Sequence, residues 1–183
     1  MRGFLALLLS INVVLLEARE IEGVEIVEQI EILDTQLELN GVGVRSKFFF
    51  NIYIGALYLT KNAQQLTDIK EGEAWRVSMH FLYDEVTGKD LVDAWNDGFE
   101  SNNTQAELSR YADQIKQFNG LFKTVRNGEV ITVNYDPATG TSVAFNGKIA
   151  GIVEGSSFAQ VLLKIWLGSS PADERLKAAM LGS

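Results

Sequence analysis

Residues 37–60 read LELNGVGVRSKFFFNIYIGALYLT, and this stretch decides the fold class of the chain. It is dense in β-branched and aromatic residues, the types that fit a pleated and half-buried surface. Glycines interrupt it at Gly41, Gly43 and Gly55, where a strand is expected to bend or turn. The pattern predicts two or three consecutive β-strands.

Strand patterns continue on both sides of this stretch. Residues 20–34 alternate carboxylates with Ile and Val, which predicts a half-buried edge strand whose charges discourage pairing with another molecule. Four later segments also have strand patterns: residues 75–83, 130–135, 142–145 and 148–153. The last three are joined by DPATG and by an Asn-Gly pair, which are turn sequences, so we expect an antiparallel meander.

Helical patterns lie between residues 87 and 120. Thr87 with Asp90 has the spacing of a capped helix start, and Thr104 with Glu107 repeats that spacing. Apolar residues recur at helical intervals after each cap. We therefore expect two helices here, the second running to Phe118.

A second helical group closes the chain. A helix is expected from about Ser157, and Ser170-Pro171 is expected to open a last short helix. Strands and helices thus occur in separate groups, which is typical of an α+β fold. No repeat, low-complexity tract or proline-rich linker divides residues 19–183, so they form one predicted domain.

Composition excludes several classes of function. The chain has 183 residues, a formal net charge of −8 and no cysteine. An acidic chain without a basic stripe is a poor partner for nucleic acid. Zinc-finger, iron–sulfur and cysteine-nucleophile sites need thiols, and no motif for a metal or another cofactor is present. We therefore expect neither a metal site nor a cofactor.

The N-terminus predicts export. Residues 3–16 form an apolar run preceded by Arg2, too short to span a bilayer but the length of a signal-peptide core. We interpret residues 1–18 as a signal peptide and expect a periplasmic protein. An uncleaved anchor and a buried N-terminal helix or strand are the alternatives.

Arg45 is the leading candidate for a functional residue. A cationic side chain inside an apolar strand is costly to bury unless a partner or ligand compensates its charge. In an unbroken strand, Arg45, Asn51 and Tyr53 point to the same face, where a guanidinium and a phenol could bind a carboxylate. The alternative is that Arg45 lies in solvent at the strand edge and Tyr53 belongs to the core.

Two other features have weaker functional interpretations. His80 is the single histidine, and it is more plausibly structural than a metal ligand. The apolar stripe that contains Phe158, Leu162 and Trp166 could form the wall of a lipophilic cavity. Such a stripe is more often plain core.

Three segments together resemble the bacterial branch of the chalcone isomerase-like proteins: LNGVGVRSKFFFNIYIGALYL at 39–59, NYDPATGTSVAFNGKIAGIVEG at 134–155, and FAQVLLKIWLGSSPADERLKAAMLG at 158–182. The resemblance implies an open-faced β-sandwich, in which a layer of helices backs an antiparallel sheet. The family it points to includes plant enzymes that cyclise chalcones and relatives that bind fatty acids without catalysis. Arg45 matches an arginine that both groups share, and Tyr53 matches a tyrosine of the fatty-acid binders.

The same resemblance argues against chalcone isomerase activity. Leu91 and Gly98 occupy the places of a tyrosine and an asparagine of the enzymes, and Ala159 occupies the place of a polar pocket residue. Leu91 and Gly98 cannot donate a side-chain hydrogen bond to a substrate ketone. We therefore expect a non-catalytic protein that binds a fatty acid or similar lipophilic carboxylate through Arg45 and Tyr53. An isomerase or intramolecular lyase for an enone-like substrate, and an accessory envelope protein without a ligand, are the alternatives.

Overall fold

A computed structural model describes residues 18–182 of the chain. The predicted signal peptide lies outside the described residues except for Ala18, which begins the first strand. The described residues contain eleven strands: β1 (Ala18–Ile21), β2 (Val24–Val27), β3 (Gln29–Ile32), β4 (Thr35–Lys47), β5 (Phe50–Leu59), β6 (Trp75–Phe81), β7 (Glu85–Val86), β8 (Val125–Arg126), β9 (Val130–Asp136), β10 (Gly140–Phe145) and β11 (Lys148–Val153).

Seven of these strands form one antiparallel sheet. Its order is β11-β10-β9-β6-β5-β4-β3, and β1–β2 and β7–β8 form two separate hydrogen-bonded pairs. The predicted meander is confirmed, because β9, β10 and β11 are neighbours in chain order. Asn146 and Gly147, with φ of 49° and 79°, form the turn between β10 and β11. Positive φ at both central residues is what an Asn-Gly hairpin turn requires.

The segment 20–34 forms three short strands and not the single edge strand that its alternation predicts. Glu22 and Gly23 both have positive φ and turn the chain between β1 and β2. Of these three strands, β3 alone joins the large sheet, as one of its two edge strands. Residues 18–27 instead form a hairpin that places Ile26 against the sheet.

The helices lie in the two predicted groups: α1 (Gly88–Asn102), α2 (Gln105–Arg110), α3 (Ala112–Asn119), α4 (Ser156–Leu167) and α5 (Glu174–Met180). Thr87 and Thr104 cap α1 and α2, as predicted. The single helix expected from Thr104 to Phe118 is broken at Tyr111, whose backbone (φ −106°, ψ 18°) is not helical. The last helix begins at Glu174 and not at Pro171. The Asp173 side chain caps it by accepting hydrogen bonds from the free backbone N–H groups of the first helical turn.

The sheet has a core on each face. The larger core packs the sheet against α1, α4 and α5, and includes Trp75, Phe99 and Phe158. The smaller core on the other face contains Ile26 and Ile54 and lies under the β1–β2 hairpin. The chain is therefore an α+β protein in which helices cover one face of an antiparallel sheet, and this confirms the predicted fold class.

Candidate ligand-binding site

The β4–β5 hairpin places Arg45 directly opposite Tyr53. The two residues are register partners in this antiparallel pair. The guanidinium carbon of Arg45 lies 5.5 Å from the centroid of the Tyr53 ring, within the range of a cation–π contact. Because Tyr53 belongs to the larger core, Arg45 lies on the face of the sheet that the helices cover. The structure thus brings together the two residues that the sequence singled out most strongly.

Asn51 does not join them. The register shifts between Arg45 and Ser46, so that Ser46 pairs with Asn51. The Ser46 hydroxyl donates a hydrogen bond of 3.0 Å to Asn51 Oδ1, and Asn51 is exposed. The prediction that Asn51 shares the face of Arg45 assumed a strand without a bulge. A bulge adds one residue and redirects the side chains that follow it.

Arg45 forms no ion pair in the part of the chain that the structure describes. It is half-buried, and its Nε atom is fully buried without a hydrogen-bond partner. None of the salt bridges among residues 18–182 includes it. A buried donor on a charged group is costly to leave unsatisfied. An anionic group in contact with this guanidinium would supply the acceptor that it lacks among the described residues.

Arg45 forms part of a cleft with a volume of about 640 Å³. The cleft lies between the end of the β4–β5 hairpin, the β6–β7 connection, α1 and the segment before α5. Its lining residues are Arg45, Lys47, Ile52, Tyr83, Glu85, Val86, Asp90, Asp93, Ala94, Asp97, Gly98, Ser101, Ser170, Pro171 and Ala172. The volume falls within the ordinary range for small-molecule sites.

The rim of the cleft is acidic, in contrast to its half-buried arginine. Four carboxylates line it, and all four residues are exposed: Glu85, Asp90, Asp93 and Asp97. Arg126 pairs with Glu85 at 2.6 Å, and Lys89 pairs with Asp93 at 2.5 Å. These pairs partly offset the negative charge at the rim. An anionic group would find favourable charges at Arg45 and Lys47 and unfavourable ones at the four carboxylates.

The hydroxyl of Tyr53 is engaged inside the protein. Trp166 Nε1 donates a hydrogen bond of 3.1 Å to it, and Tyr53 is buried and not among the residues lining the cleft. Burial raises the pKa of the Tyr53 phenol, while the positive charge of Arg45 acts in the opposite direction. Tyr53 therefore supports Arg45 through its ring in this structure and does not present its hydroxyl to the cleft.

Phe158, Leu162 and Trp166 form core on α4. All three are buried, and none of them lines the cleft. Phe158 packs against the rings of Phe99 and Phe118. Because these contacts are already made within the protein, the wall that the sequence assigned to a lipophilic tail is closed.

Asp173 is a neighbour of the site that sequence reasoning missed. Its side chain is almost fully buried, and it accepts a hydrogen bond of 3.2 Å from the backbone N–H of Ser46 while capping α5. Its negative charge is one of the causes that raise the pKa of Tyr53. In the sequence, Asp173 and Glu174 form an acidic pair at the start of a helix. This pattern indicates a helix cap but does not indicate a contact with β4.

The positions matched to catalytic residues have no side-chain donors near Arg45. Leu91 and Ala159 are buried in the core, and Gly98 lines the cleft. A Cβ atom at Gly98 would lie 2.8 Å from Ile165 Cγ2, so close packing of α1 on α4 excludes a larger residue here.

The described residues hold neither a metal-binding cluster nor a helix of membrane-spanning length. Among residues 18–182, no group of three or more His, Asp or Glu side chains is placed to hold a metal ion. His80 lies 3.4 Å from the Ser78 hydroxyl, and burial lowers its pKa. None of the helices in this range is long and apolar enough to cross a membrane.

Comparisons with known proteins agree with this architecture. The sequence matches the family described as chalcone isomerase-like over residues 18–182. A search of curated protein sequences gave no match. Among solved structures, a fatty-acid binding protein from Arabidopsis thaliana aligns with a TM-score of 0.70 and 16% identity, covering 90% of this chain and 96% of that chain. The family match spans all of the residues that the structure describes, and the protein therefore belongs to the chalcone isomerase-like family.

Proposed function

We propose that this protein binds a small lipophilic carboxylate, such as a fatty acid, without catalysis. The observation that carries the proposal is the guanidinium of Arg45, which is half-buried beside a cleft and has a buried Nε without a partner. A carboxylate accepts two parallel N–H bonds from a guanidinium. Such a ligand would pair directly with a guanidinium that forms no ion pair among the described residues.

The remainder of the cleft suits an apolar chain of modest size. Ile52, Val86 and Ala172 supply apolar surface, and Tyr83 adds an aromatic ring. We place the tail along these residues, because Phe158, Leu162 and Trp166 already pack within the core. The name of the Arabidopsis protein, a fatty-acid binding protein of similar fold, favours the same ligand class.

Lauric acid is a suitable probe, with methyl laurate as its uncharged counterpart. We expect Arg45→Ala to weaken laurate binding to the purified full chain about tenfold to hundredfold, because one charge-assisted contact is removed. Isothermal titration calorimetry measures the loss, and native mass spectrometry gives the stoichiometry. The affinity for methyl laurate should differ little between wild type and Arg45→Ala, because this ester carries no charge that could pair with Arg45.

Arg110→Ala is the matched control. The Arg110 guanidinium also lies 5.5 Å from a tyrosine ring, that of Tyr111, but outside the cleft. This variant should bind laurate as the wild type does. Equal laurate affinity in Arg45→Ala and wild type, or failure of the wild type to bind laurate at all, would reject the proposal.

The enzymatic alternative, an isomerase or intramolecular lyase for an enone-like substrate, has less support. It requires the Tyr53 hydroxyl as an acid beside the substrate, whereas that hydroxyl accepts a hydrogen bond from buried Trp166. Incubation of the protein with a set of enones, followed by chromatography, tests this. Turnover that is lost in Tyr53→Phe would favour the enzyme over the binding protein.

We further propose that the protein is an exported, periplasmic member of a bacterial branch of the family, directed there by residues 1–18. The apolar run 3–16 after Arg2 supports this assignment. In a Gram-negative host, the mature chain should be recovered by osmotic shock and should begin near Arg19 by mass spectrometry. A variant that lacks residues 2–18 should stay in the cytoplasm. Recovery of the intact chain in the membrane fraction would instead indicate an uncleaved anchor.

A further inference from the structure

Three consecutive phenylalanines project into solvent at the turn between β4 and β5. We name Phe48, Phe49 and Phe50 the Phe tip. Their exposed fractions are 85%, 99% and 55%. Single exposed apolar residues are normal on a protein surface, but a contiguous exposed cluster usually marks an interaction site. The Phe50 ring extends the cluster by packing edge-on against Tyr83, with the ring centroids 5.5 Å apart.

The fold does not require these residues. Phe49 is almost completely exposed and therefore gains no stability from burial. Phe48 has φ of 56°, a conformation that glycine and asparagine adopt more easily than a bulky residue. The two-residue turn between Lys47 and Phe50 would thus be more stable with other residues. This indicates that the rings serve a contact outside the described chain.

The shape and size of the Phe tip favour a lipid bilayer over a protein partner. Three phenylalanine side chains offer about 450 to 750 Å² of surface, which is less than the roughly 800 Å² that a stable protein interface takes from each partner. The neighbouring exposed residues Lys47, Asp84 and Glu85 do not extend the apolar area. A narrow convex apolar turn can instead enter the interface of a bilayer, where Tyr83 and the Lys47 stem fit at the level of the headgroups.

The tip is also continuous with the cleft. Lys47, Ile52 and Tyr83 line the cleft, and they flank the tip in sequence or in space. We propose that the Phe tip inserts into the surface of a lipid bilayer and so holds the mouth of the cleft against the membrane. This docking does not depend on which ligand the cleft binds.

The charge of the protein determines which bilayer it prefers. The chain carries a formal net charge of −8, and four of its carboxylates lie at the cleft rim near the tip. An anionic surface repels such a protein within a Debye length. Insertion driven by aromatic rings should therefore be strongest on zwitterionic lipid. Replacing part of the phosphatidylcholine by phosphatidylglycerol should weaken binding, and added salt should restore it.

Cosedimentation with phosphatidylcholine vesicles tests the insertion. We expect the double variant Phe48→Ser, Phe49→Ser to bind at least about tenfold more weakly than the wild type, because two rings no longer enter the lipid. Leu33→Ser is the matched control: Leu33 is 61% exposed and has φ of 51° at another strand turn. This control should bind as the wild type does. All variants are made in the full chain, so that residues 1–17 contribute equally to each.

A second measurement reports the depth of the tip directly. The tryptophans of the described chain, Trp75, Trp95 and Trp166, are buried and give a constant fluorescence background. With vesicles, Phe49→Trp should add an emission component that shifts to the blue and is quenched by lipids brominated in their chains. Leu33→Trp should add an emission component whose wavelength and intensity vesicles do not change.

The outcomes separate the proposal from its alternatives. The proposal is overturned if the double variant binds vesicles as strongly as the wild type. It is also overturned if vesicles leave the added emission of Phe49→Trp unchanged. Self-association that the double variant abolishes in the absence of vesicle binding overturns it as well, since the tip would then contact a second copy of the chain. Arg45→Ala should retain vesicle binding even if it loses laurate, so failure of the ligand proposal and failure of this one are distinguishable.

Discussion

At the residue scale, glycines of β4 allow a helix to approach the sheet closely. A Cβ atom at Gly41 would lie 2.1 Å from the carbonyl oxygen of Ala179, and one at Gly43 would lie 2.6 Å from the Ala179 Cβ. Beside them, the Asn40 amide donates to the carbonyl oxygens of Ala63 and Met180 and accepts from the Ala63 N–H. These contacts fix α5 on the strand that carries Arg45.

We expect Gly41→Ala to lower the free energy of unfolding by about 3 kcal/mol, because α5 must move away from β4 to admit the methyl group. Urea denaturation followed by circular dichroism measures the change. Gly120→Ala is the control, since its Cβ atom would lie 3.4 Å from the nearest atom, the Gln117 carbonyl oxygen, and φ is −67°. This control should be neutral or slightly stabilising. Equal stability of the two variants would contradict this view of Gly41.

At the element scale, a capping box connects two helices. Glu107 accepts from the backbone N–H and the hydroxyl of Thr104 at the start of α2, and Lys164 of α4 donates to its other oxygen at 2.9 Å. These hydrogen bonds and the Lys164 charge lower the pKa of Glu107 from 4.5 to about 2. The carboxylate thus joins the short helix α2 to the long core helix α4.

The lowered pKa predicts a dependence of stability on pH. The stabilisation is present when the pH is above 4.5 and is lost as the pH falls from 4.5 to about 2, because the carboxylate is protonated first in the unfolded chain. Partial exposure to solvent keeps the effect modest. The melting temperature of Glu107→Gln should therefore be lower than that of the wild type at neutral pH. The two melting temperatures should converge near pH 2. A constant difference in melting temperature at both pH values would contradict the assignment.

At the scale of the whole molecule, one end of the sheet combines the features on which both proposals rest. The β4–β5 hairpin carries Arg45 over the Tyr53 ring and ends in the Phe tip, while α1 and the segment before α5 close the cleft beside it. The hairpin β1–β2 covers the smaller core on the opposite face. The two proposals therefore concern the same end of the molecule but different surfaces of it: the cleft and the Phe tip.

Local patterns predicted most elements, and their errors have physical causes. The Asn146-Gly147 turn and the Thr104 capping box depend on residues close in sequence, so both were predicted correctly. The break at Tyr111 and the bulge after Arg45 interrupt otherwise continuous periodic patterns, so the sequence did not indicate them. The bulge removed Asn51 from the candidate site, because one inserted residue redirects the side chains beyond it.

By itself, the sequence determined the α+β class, the antiparallel meander and the helix caps, since each follows from local spacing. It also made Arg45 the leading candidate residue, because burying a charge is costly. Tertiary structure alone decided which surface lines the cleft. Phe158, Leu162 and Trp166 have the pattern of a lipophilic wall, but packing against distant rings and the Tyr53 hydroxyl makes them core. Asp173 contacts β4 at Ser46, 127 residues away in sequence, and no local pattern encodes such a contact.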